Sequence, residues 1–260
     1  MTKKVCLTSM FGLLIGMLAI PMGAQADLLG LWEFEEGSGE TIADTSGNGN
    51  DGTLFNLENG LGEGGAVWID DPERGSVVSF DGTAAGAYGL LGDGLVPVMS
   101  LDIDFTWAFW AKQGEITGDN HIILGNRMSI DAVDFSPREF IKFTPTKFEW
   151  HSNGAGDDNL DYDDIPNDVW MHHVVVKDGF LLIYYRNGAA SAARTISTVL
   201  NNPQPLFIGG DNEGSEGENW IGALDNVRIY NEALSGDEVL DLFVSEGGVA
   251  SGASNWELMK

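Results

Sequence analysis

Short apolar segments recur along this chain, separated by glycine, asparagine and aspartate at intervals too short for most helices. Eleven of them show the two-residue alternation or the β-branched and aromatic content typical of strands. They are Leu29–Phe34, Gly52–Leu54, Val77–Phe80, Phe105–Lys112, His121–Asn126, Glu139–Thr144, Lys147–His151, Trp170–Lys177, Phe180–Arg186, Pro205–Gly209 and Ile221–Tyr230. This pattern predicts an all-β protein.

The glycine content agrees with many tight turns. The 260 residues include 35 glycines but only 8 prolines, and that glycine share is about twice the usual one. Glycine supplies the positive φ that hairpin turns require, and Asp178-Gly179 between two apolar segments predicts one such hairpin.

Two further features predict the layers of the fold. Phe105, Trp107 and Phe109 alternate onto one face of their strand while Trp110 faces the other way, so we expect this strand to be covered on both sides, as in packed sheets. The one predicted helix begins at Ser235, which forms a capping box with Glu238.

The first 26 residues have the pattern of a cleaved secretory signal. Lys3 and Lys4 precede an apolar segment, and Ala24-Gln25-Ala26 closes it. An uncleaved signal-anchor is the alternative. The only cysteine, Cys6, lies in this segment, so the mature chain has no disulfide. Secretion, to the exterior or the periplasm, is therefore predicted.

After the leader, the sequence predicts one domain, residues 27–243, and a loose tail, residues 244–260. No second hydrophobic span follows the leader, so no membrane insertion is expected once the leader is cleaved.

The charge excludes nucleic acid as a partner. The chain has 40 acidic and 13 basic residues, a net charge of −27, and removal of Lys3 and Lys4 leaves 11 − 40 = −29. Nucleic-acid binding requires a cluster of cations to replace the counterions of the phosphates, and the mature chain has none.

Several segments together resemble a known family. They are residues 30–54, 77–82 (VVSFDG), 105–112 (FTWAFWAK), 170–174, 183–188 (IYYRNG) and 222–239. This set is similar to the laminin-G-like branch of the concanavalin A-like lectin/glucanase superfamily. The resemblance implies a jelly-roll sandwich of two antiparallel sheets, adjacent first and last strands, and a binding surface on the concave face or the rim loops.

Residues 44–52 form a candidate calcium loop. Asp44, Ser46, Asn48 and Gly49 match positions 1, 3, 5 and 6 of the helix-loop-helix calcium pattern, but Phe55 stands at position 12. The alternative is an asparagine- and aspartate-rich turn whose side chains bond their own backbone.

The resemblance implies a structural Ca²⁺ where the terminal strands meet. Asp44 and Asp225 would be ligands, completed by Asn48 or Asn50 and backbone carbonyls. By alternation Asp225 shares a face with Val227 and Ile229, so it needs a partner. Either a cation or Arg228 would serve.

The predicted ligand contacts are aromatic side chains in polar or glycine-rich settings, with two rim residues. One interpretation is that each aromatic ring offers a flat face to a sugar. The alternative is that the ring has a structural role in the core. The tryptophans are Trp68, Trp150 and Trp220, and the rim residues are Tyr162 and Arg127.

The sequence favours binding over catalysis. Glycoside hydrolysis needs two carboxylates across one bond, but no Glu-x-Asp-x-Glu row occurs, and Glu139 and Glu149 are isolated. His172 and His173 are strand neighbours on opposite faces, so they do not chelate one metal, and His172 is interpreted as a packing and hydrogen-bonding residue.

Three hypotheses follow from the sequence. The first is a non-catalytic module that binds a glycan or an extracellular protein. The alternatives are a polysaccharide hydrolase or lyase, and a structural surface or matrix protein.

Overall fold

A computed structural model describes residues 27–55, 65–82, 88–92, 104–115, 121–126, 139–152, 156–197, 200, 206–210 and 218–250. The predicted leader lies outside these residues. The described part of the chain contains no helix with the length and apolar character needed to cross a membrane.

The described residues form seventeen strands and one helix, α1. The strands are β1 (Leu28–Trp32), β2 (Thr41–Ile42), β3 (Gly52–Phe55), β4 (Ala66–Asp71), β5 (Gly75–Asp81), β6 (Tyr88–Leu91), β7 (Phe105–Gln113), β8 (Leu124–Gly125), β9 (Glu139–Phe143), β10 (Lys147–Ser152), β11 (Gly156–Asp157), β12 (Leu160–Asp161), β13 (Trp170–Asp178), β14 (Leu181–Arg186), β15 (Ala189–Thr195), β16 (Leu206–Ile208) and β17 (Ile221–Tyr230). Helix α1 is Gly236–Ser245.

All eleven predicted strands are present; most change only at their ends, but His121–Asn126 shortens to the two-residue β8. Six strands were not predicted. Three of these, β2, β11 and β12, have only two residues each, and β15 (AASAART) is exposed along almost its whole length, so it lacks an apolar alternation. The other two are β4 and β6.

The strands form two antiparallel sheets that pack as a jelly-roll sandwich, as predicted. The eight-stranded sheet has the order β15-β14-β13-β7-β17-β5-β4, with β1 also paired to β17. The nine-stranded sheet has the order β11-β10-β9-β8-β16-β6-β3-β2, with β12 paired to β10. The pairing of β1 with β17 places the first and last strands side by side.

Aromatic side chains from both sheets meet in the core. Trp107 of β7 contacts Phe148 of β10 edge-on, with ring centroids 5.8 Å apart, and Phe109 meets Phe143 in the same way at 4.8 Å. Such edge-to-face contacts satisfy the ring quadrupoles while burying large apolar areas.

Helix α1 covers the opposite face of the eight-stranded sheet. It begins with the predicted capping box between Ser235 and Glu238. Its buried Phe243 stacks on Trp110 with centroids 5.6 Å apart. The prediction that β7 is covered on both sides is confirmed.

The end of α1 is anchored to the sheet by Glu246. Its carboxylate accepts hydrogen bonds from Trp110 Nε1 at 2.6 Å and Arg228 Nε at 2.5 Å. Beyond it, the Gly248 N–H donates to the Phe243 carbonyl. The predicted division between domain and tail after Phe243 therefore falls inside α1, and the ordered unit extends at least to Gly248.

A bulge in β17 reverses the predicted direction of Asp225. Asn226 has a positive φ of 49°, and the pairing with β7 shifts register between Asp225 and Arg228. Val227 and Ile229 consequently face the core, whereas Asp225 lies on the other face. The prediction that these three share a face is wrong because strict alternation ignores the bulge.

The partner of Asp225 is Arg74, at the turn between β4 and β5. The sequence left two candidate partners for the Asp225 carboxylate, Arg228 and a bound cation. Arg228 instead pairs with Glu246.

We predict that Glu246→Ala lowers the free energy of unfolding by about 2–3 kcal/mol, because the Trp110 indole and the Arg228 guanidinium lose a nearly buried acceptor. Asp241→Ala, at an exposed position of the same helix, should change it by less than about 0.5 kcal/mol. Urea denaturation measures both, and equal effects would contradict the anchoring role.

Candidate functional site

The predicted calcium loop is organised by the carboxylate of Asp44. Oδ1 accepts hydrogen bonds from the N–H groups of Leu31 at 3.0 Å and Ser46 at 2.9 Å, and Oδ2 accepts one from Asn50 at 2.8 Å. Burial alone would raise the pKa of Asp44, but these hydrogen bonds outweigh it and lower the pKa. Asp44 thus ties the loop to β1.

The two asparagines extend this attachment. Asn48 Nδ2 donates to the Leu28 carbonyl at 2.6 Å, and Asn50 Nδ2 donates to the Leu29 carbonyl at 2.7 Å. These contacts match the alternative interpretation, a turn held by its own side-chain hydrogen bonds.

The structure does not bring Asp225 to this loop. Asp44 bridges to Trp32 of β1, which in turn pairs with Val227 of β17, so about two strand spacings, roughly 10 Å, separate the backbones. Among the described residues, no three acidic or histidine side chains converge on a point suited to a metal. The prediction that Asp44 and Asp225 bind one calcium ion together is therefore wrong. Calcium binding by the loop alone stays a prediction.

We predict that Asp44→Asn lowers the free energy of unfolding by about 1–2 kcal/mol at pH 7, since an amide cannot accept all three N–H bonds. Because the pKa of Asp44 is lowered by folding, its stabilisation is present above the unfolded value of about 3.9 and is lost as the pH falls through the folded value.

Unfolding of the wild type and the variant at pH 7 and pH 3 measures this difference. The exposed Asp70→Asn variant is the control. A difference that grows as the pH falls would contradict the assignment.

Two of the predicted ligand contacts are wrong. Trp150 and Trp220 are 0% exposed, so neither ring has a face available to a sugar. The polar neighbours of Trp150 in β10 lie on the opposite side of the strand and do not report which way its ring points.

The other three predicted contacts remain untested as ligand residues. Trp68 is half-buried, and its Nε1 donates to the Gly39 carbonyl at 2.8 Å. Tyr162 stacks on Tyr184 at 4.0 Å and donates its hydroxyl to a backbone carbonyl. Arg127 lies outside the described residues.

His172 and His173 lie on opposite faces of β13, as predicted. His173 Nδ1 is 2.8 Å from the Tyr184 hydroxyl, inside the sandwich. His172 packs between Trp110 and Phe243, but within the described structure neither of its ring nitrogens has a hydrogen-bond partner. Burial, with Arg74 and Arg228 nearby, lowers its pKa to about 3, so it is neutral at physiological pH.

The outward face of the nine-stranded sheet has two different halves. A row across it passes from one strand to the next through residues in direct register. These are Thr53, Leu90, Phe207, Gly125, Lys142 and Glu149. Thr53 and Leu90 are half-buried and belong to a partly exposed half, whereas Lys142 and Glu149 belong to a half that is buried.

The buried half contains an ion-pair cluster. Lys142 is only 3% exposed, and its Nζ lies 3.1 Å from both Glu149 Oε2 and Glu218 Oε2. Lys147 also approaches Glu149, at 3.4 Å. The prediction that Glu149 is isolated is therefore wrong, because Lys142 pairs both with Glu149 and with Glu218 from a distant segment.

The partly exposed half presents a pair of aromatic rings, Phe55 and Tyr88, which we call the ring platform. The rings stack with centroids 4.7 Å apart and planes 19° apart, and Phe55 is 37% exposed. Phe207 contacts Tyr88 edge-on at 5.5 Å and supports it from the middle of the sheet.

Sequence reasoning missed this platform. In the sequence, Phe55 was considered only because it breaks the calcium pattern at position 12. Strand β6, which carries Tyr88, was not predicted. The available signal was the alternation in β3, where a buried Leu54 leaves Phe55 pointing outward.

The fold described above is a jelly-roll sandwich of two antiparallel sheets. Residues 81–240 match a laminin-G model of the concanavalin A-like lectin/glucanases superfamily. The chain belongs to this superfamily. No curated protein matches the chain.

Solved structures share the fold at low sequence identity. Domain 4 of AbnA, an extracellular arabinanase from Geobacillus stearothermophilus, solved with arabinotriose, has a TM-score of 0.62 and 21% identity, and the match covers 84% of this chain and 98% of that one. The binding domain of Paraclostridial Mosquitocidal Protein 1 has a TM-score of 0.60 and 17% identity over 84% of this chain and 52% of that one.

Trypanosoma rangeli sialidase has a TM-score of 0.58 and 14% identity, over 85% of this chain and 33% of that one. The similar structures thus include both binding domains and enzymes, and the fold does not decide between these two roles.

Proposed function

We propose that this protein is a secreted, non-catalytic module that binds a glycan on the ring platform. The observation that carries the proposal is the stacked, partly exposed pair of Phe55 and Tyr88. A large aromatic face exposed on a sheet attracts the apolar C–H face of a sugar ring, because the face of the ring carries partial negative charge. Exposed apolar patches on soluble domains commonly mark binding sites.

The similarity to an arabinanase domain solved with arabinotriose supports a sugar as the ligand. The basic and apolar leader, residues 1–26, supports export to the exterior or the periplasm, where glycans are accessible.

The cluster in the buried half supports a non-catalytic role. Two carboxylates that hydrolyse a glycosidic bond must have that bond between them. Here the Lys142 ammonium occupies the space between Glu149 and Glu218, at 3.1 Å from each. A glycosidic bond has no room in that position.

We predict that Phe55→Ala weakens binding to an immobilised glycan about tenfold, which corresponds to ~1.4 kcal/mol, because it removes half of the ring platform. Phe180→Ala is the matched control, because Phe180 is more exposed (57%) but lies at the turn between β13 and β14, on the other sheet. Binding to a panel of oligosaccharides measures the effect.

Three results would contradict the proposal. The first is equal loss of binding in the two variants. The second is release of reducing sugar from the panel, which would indicate a hydrolase. The third is the absence of any glycan ligand together with binding to an extracellular protein or self-association.

We also propose that the loop of residues 44–52 binds a structural calcium ion, on the basis of its spacing of oxygen side chains. We predict that calcium added to chelated protein raises the Tm, because a ligand that binds only the folded state stabilises it. Asp44→Asn should abolish the increase, and Asp225→Asn should retain it, since Asp225 pairs with Arg74 away from the loop. An unchanged wild-type Tm would exclude calcium.

A further inference from the structure

We propose that the ring platform selects uncharged glycans and that Thr41 and Thr53 bind the hydroxyl groups of the sugar. This inference rests on the proposed function and adds the chemical class of the ligand and the residues that select it.

No described side chain beside the platform carries a positive charge, and the exposed Asp51, directly before β3, adds only negative charge. Thr41 of β2 is in register with Thr53 of β3, and Thr53 is in register with Leu90 of β6. Each of these side chains points outward, because Ile42, Leu54 and Leu91 on the same strands are in the core.

The cations that the structure describes on this face of the sheet are already paired. Lys142 is buried between Glu149 and Glu218, and Lys147 approaches Glu149. A uronate or sulfate group requires Lys or Arg donors for tight binding. The described part of the platform offers none.

The net charge of the chain also disfavours anionic glycans. With a net charge of −27, the chain repels anionic polymers at long range, and this repulsion is strongest at low ionic strength. A neutral glycan is not repelled, so its affinity should be almost independent of salt.

The positions of the threonines suit them to bind sugar hydroxyls. Thr53 lies two residues before Phe55 on the same strand, roughly 6.8 Å away along the backbone. A sugar ring stacked on Phe55 therefore has its edge near the threonine hydroxyls, each of which can donate one hydrogen bond and accept others. Thr41 is exposed and Thr53 is half-buried, so both are accessible from this side.

Calorimetric titration of the full chain with matched trisaccharides tests the inference. The neutral probes are arabinotriose and cellotriose, and the anionic probe is trigalacturonate, each at low and at moderate salt. We expect the best neutral probe to bind at least about tenfold more tightly than the anionic one, with an affinity that changes less than about twofold with salt.

Thr53→Val and Thr41→Val keep the shape of the side chain and remove the hydroxyl. Each should weaken neutral binding about fivefold to tenfold. Thr195→Val on β15, also exposed, is the matched control and should leave binding unchanged. Thermal unfolding of each variant checks that the fold is retained.

The outcomes separate this inference from the proposed function. Tighter binding of trigalacturonate overturns the neutral selectivity and leaves glycan binding standing. Neutral binding that both threonine variants retain in full overturns the role of the hydroxyls. Binding to none of the three probes, nor to any glycan of the wider panel, overturns the proposed function itself.

Discussion

The structure depends on the burial of both faces of the central strands β7 and β13. Almost every residue of these two strands is buried, so each face needs its own cover. The nine-stranded sheet covers one face with aromatic rings, and α1 covers the other through Phe243. Because alternation gives each face its own side chains, polar groups on the helix side must find partners there, which explains the concentration of ion pairs beneath α1.

Two aspartates show how environment decides what a carboxylate does in this fold. Asp44 accepts three backbone N–H bonds, and its pKa is lowered despite burial. Asp225 is buried under α1, which raises its pKa to about 6, although Arg74 offsets part of the rise. Arg74 also stacks on Trp110 with 4.1 Å to the ring centroid. Asp44 therefore stabilises a surface loop, whereas Asp225 serves to neutralise an arginine that fills space beneath the helix.

Sequence patterns predicted what depends on local periodicity and failed where distant segments decide. The two-sided burial of β7 and the capping box at Ser235 follow from neighbouring residues and are confirmed. The direction of Asp225 depends on the bulge at Asn226, which no local pattern signals. Trp150 looked accessible because glutamate and histidine flank it, yet alternation turns the ring inward while they face outward. Strand β15 has small exposed residues, and its place in the sheet is set by pairing with β14, which is distant information that its own sequence does not carry.

The two halves of the outward face explain how one sheet separates support from recognition. Around Lys142 the charges neutralise one another at contact distance and are withdrawn from solvent. Paired in this way, they contribute no exposed cation for an incoming ligand. At the opposite edge, the outward side chains of the short strands β2 and β3 are Thr41, Thr53 and Phe55, so the described surface there combines an aromatic ring with hydroxyls and carries no cation. Phe207 supports Tyr88 edge-on from the middle of the sheet, and Tyr88 in turn supports the partly exposed Phe55, so the pair keeps its arrangement at that edge without being fully buried.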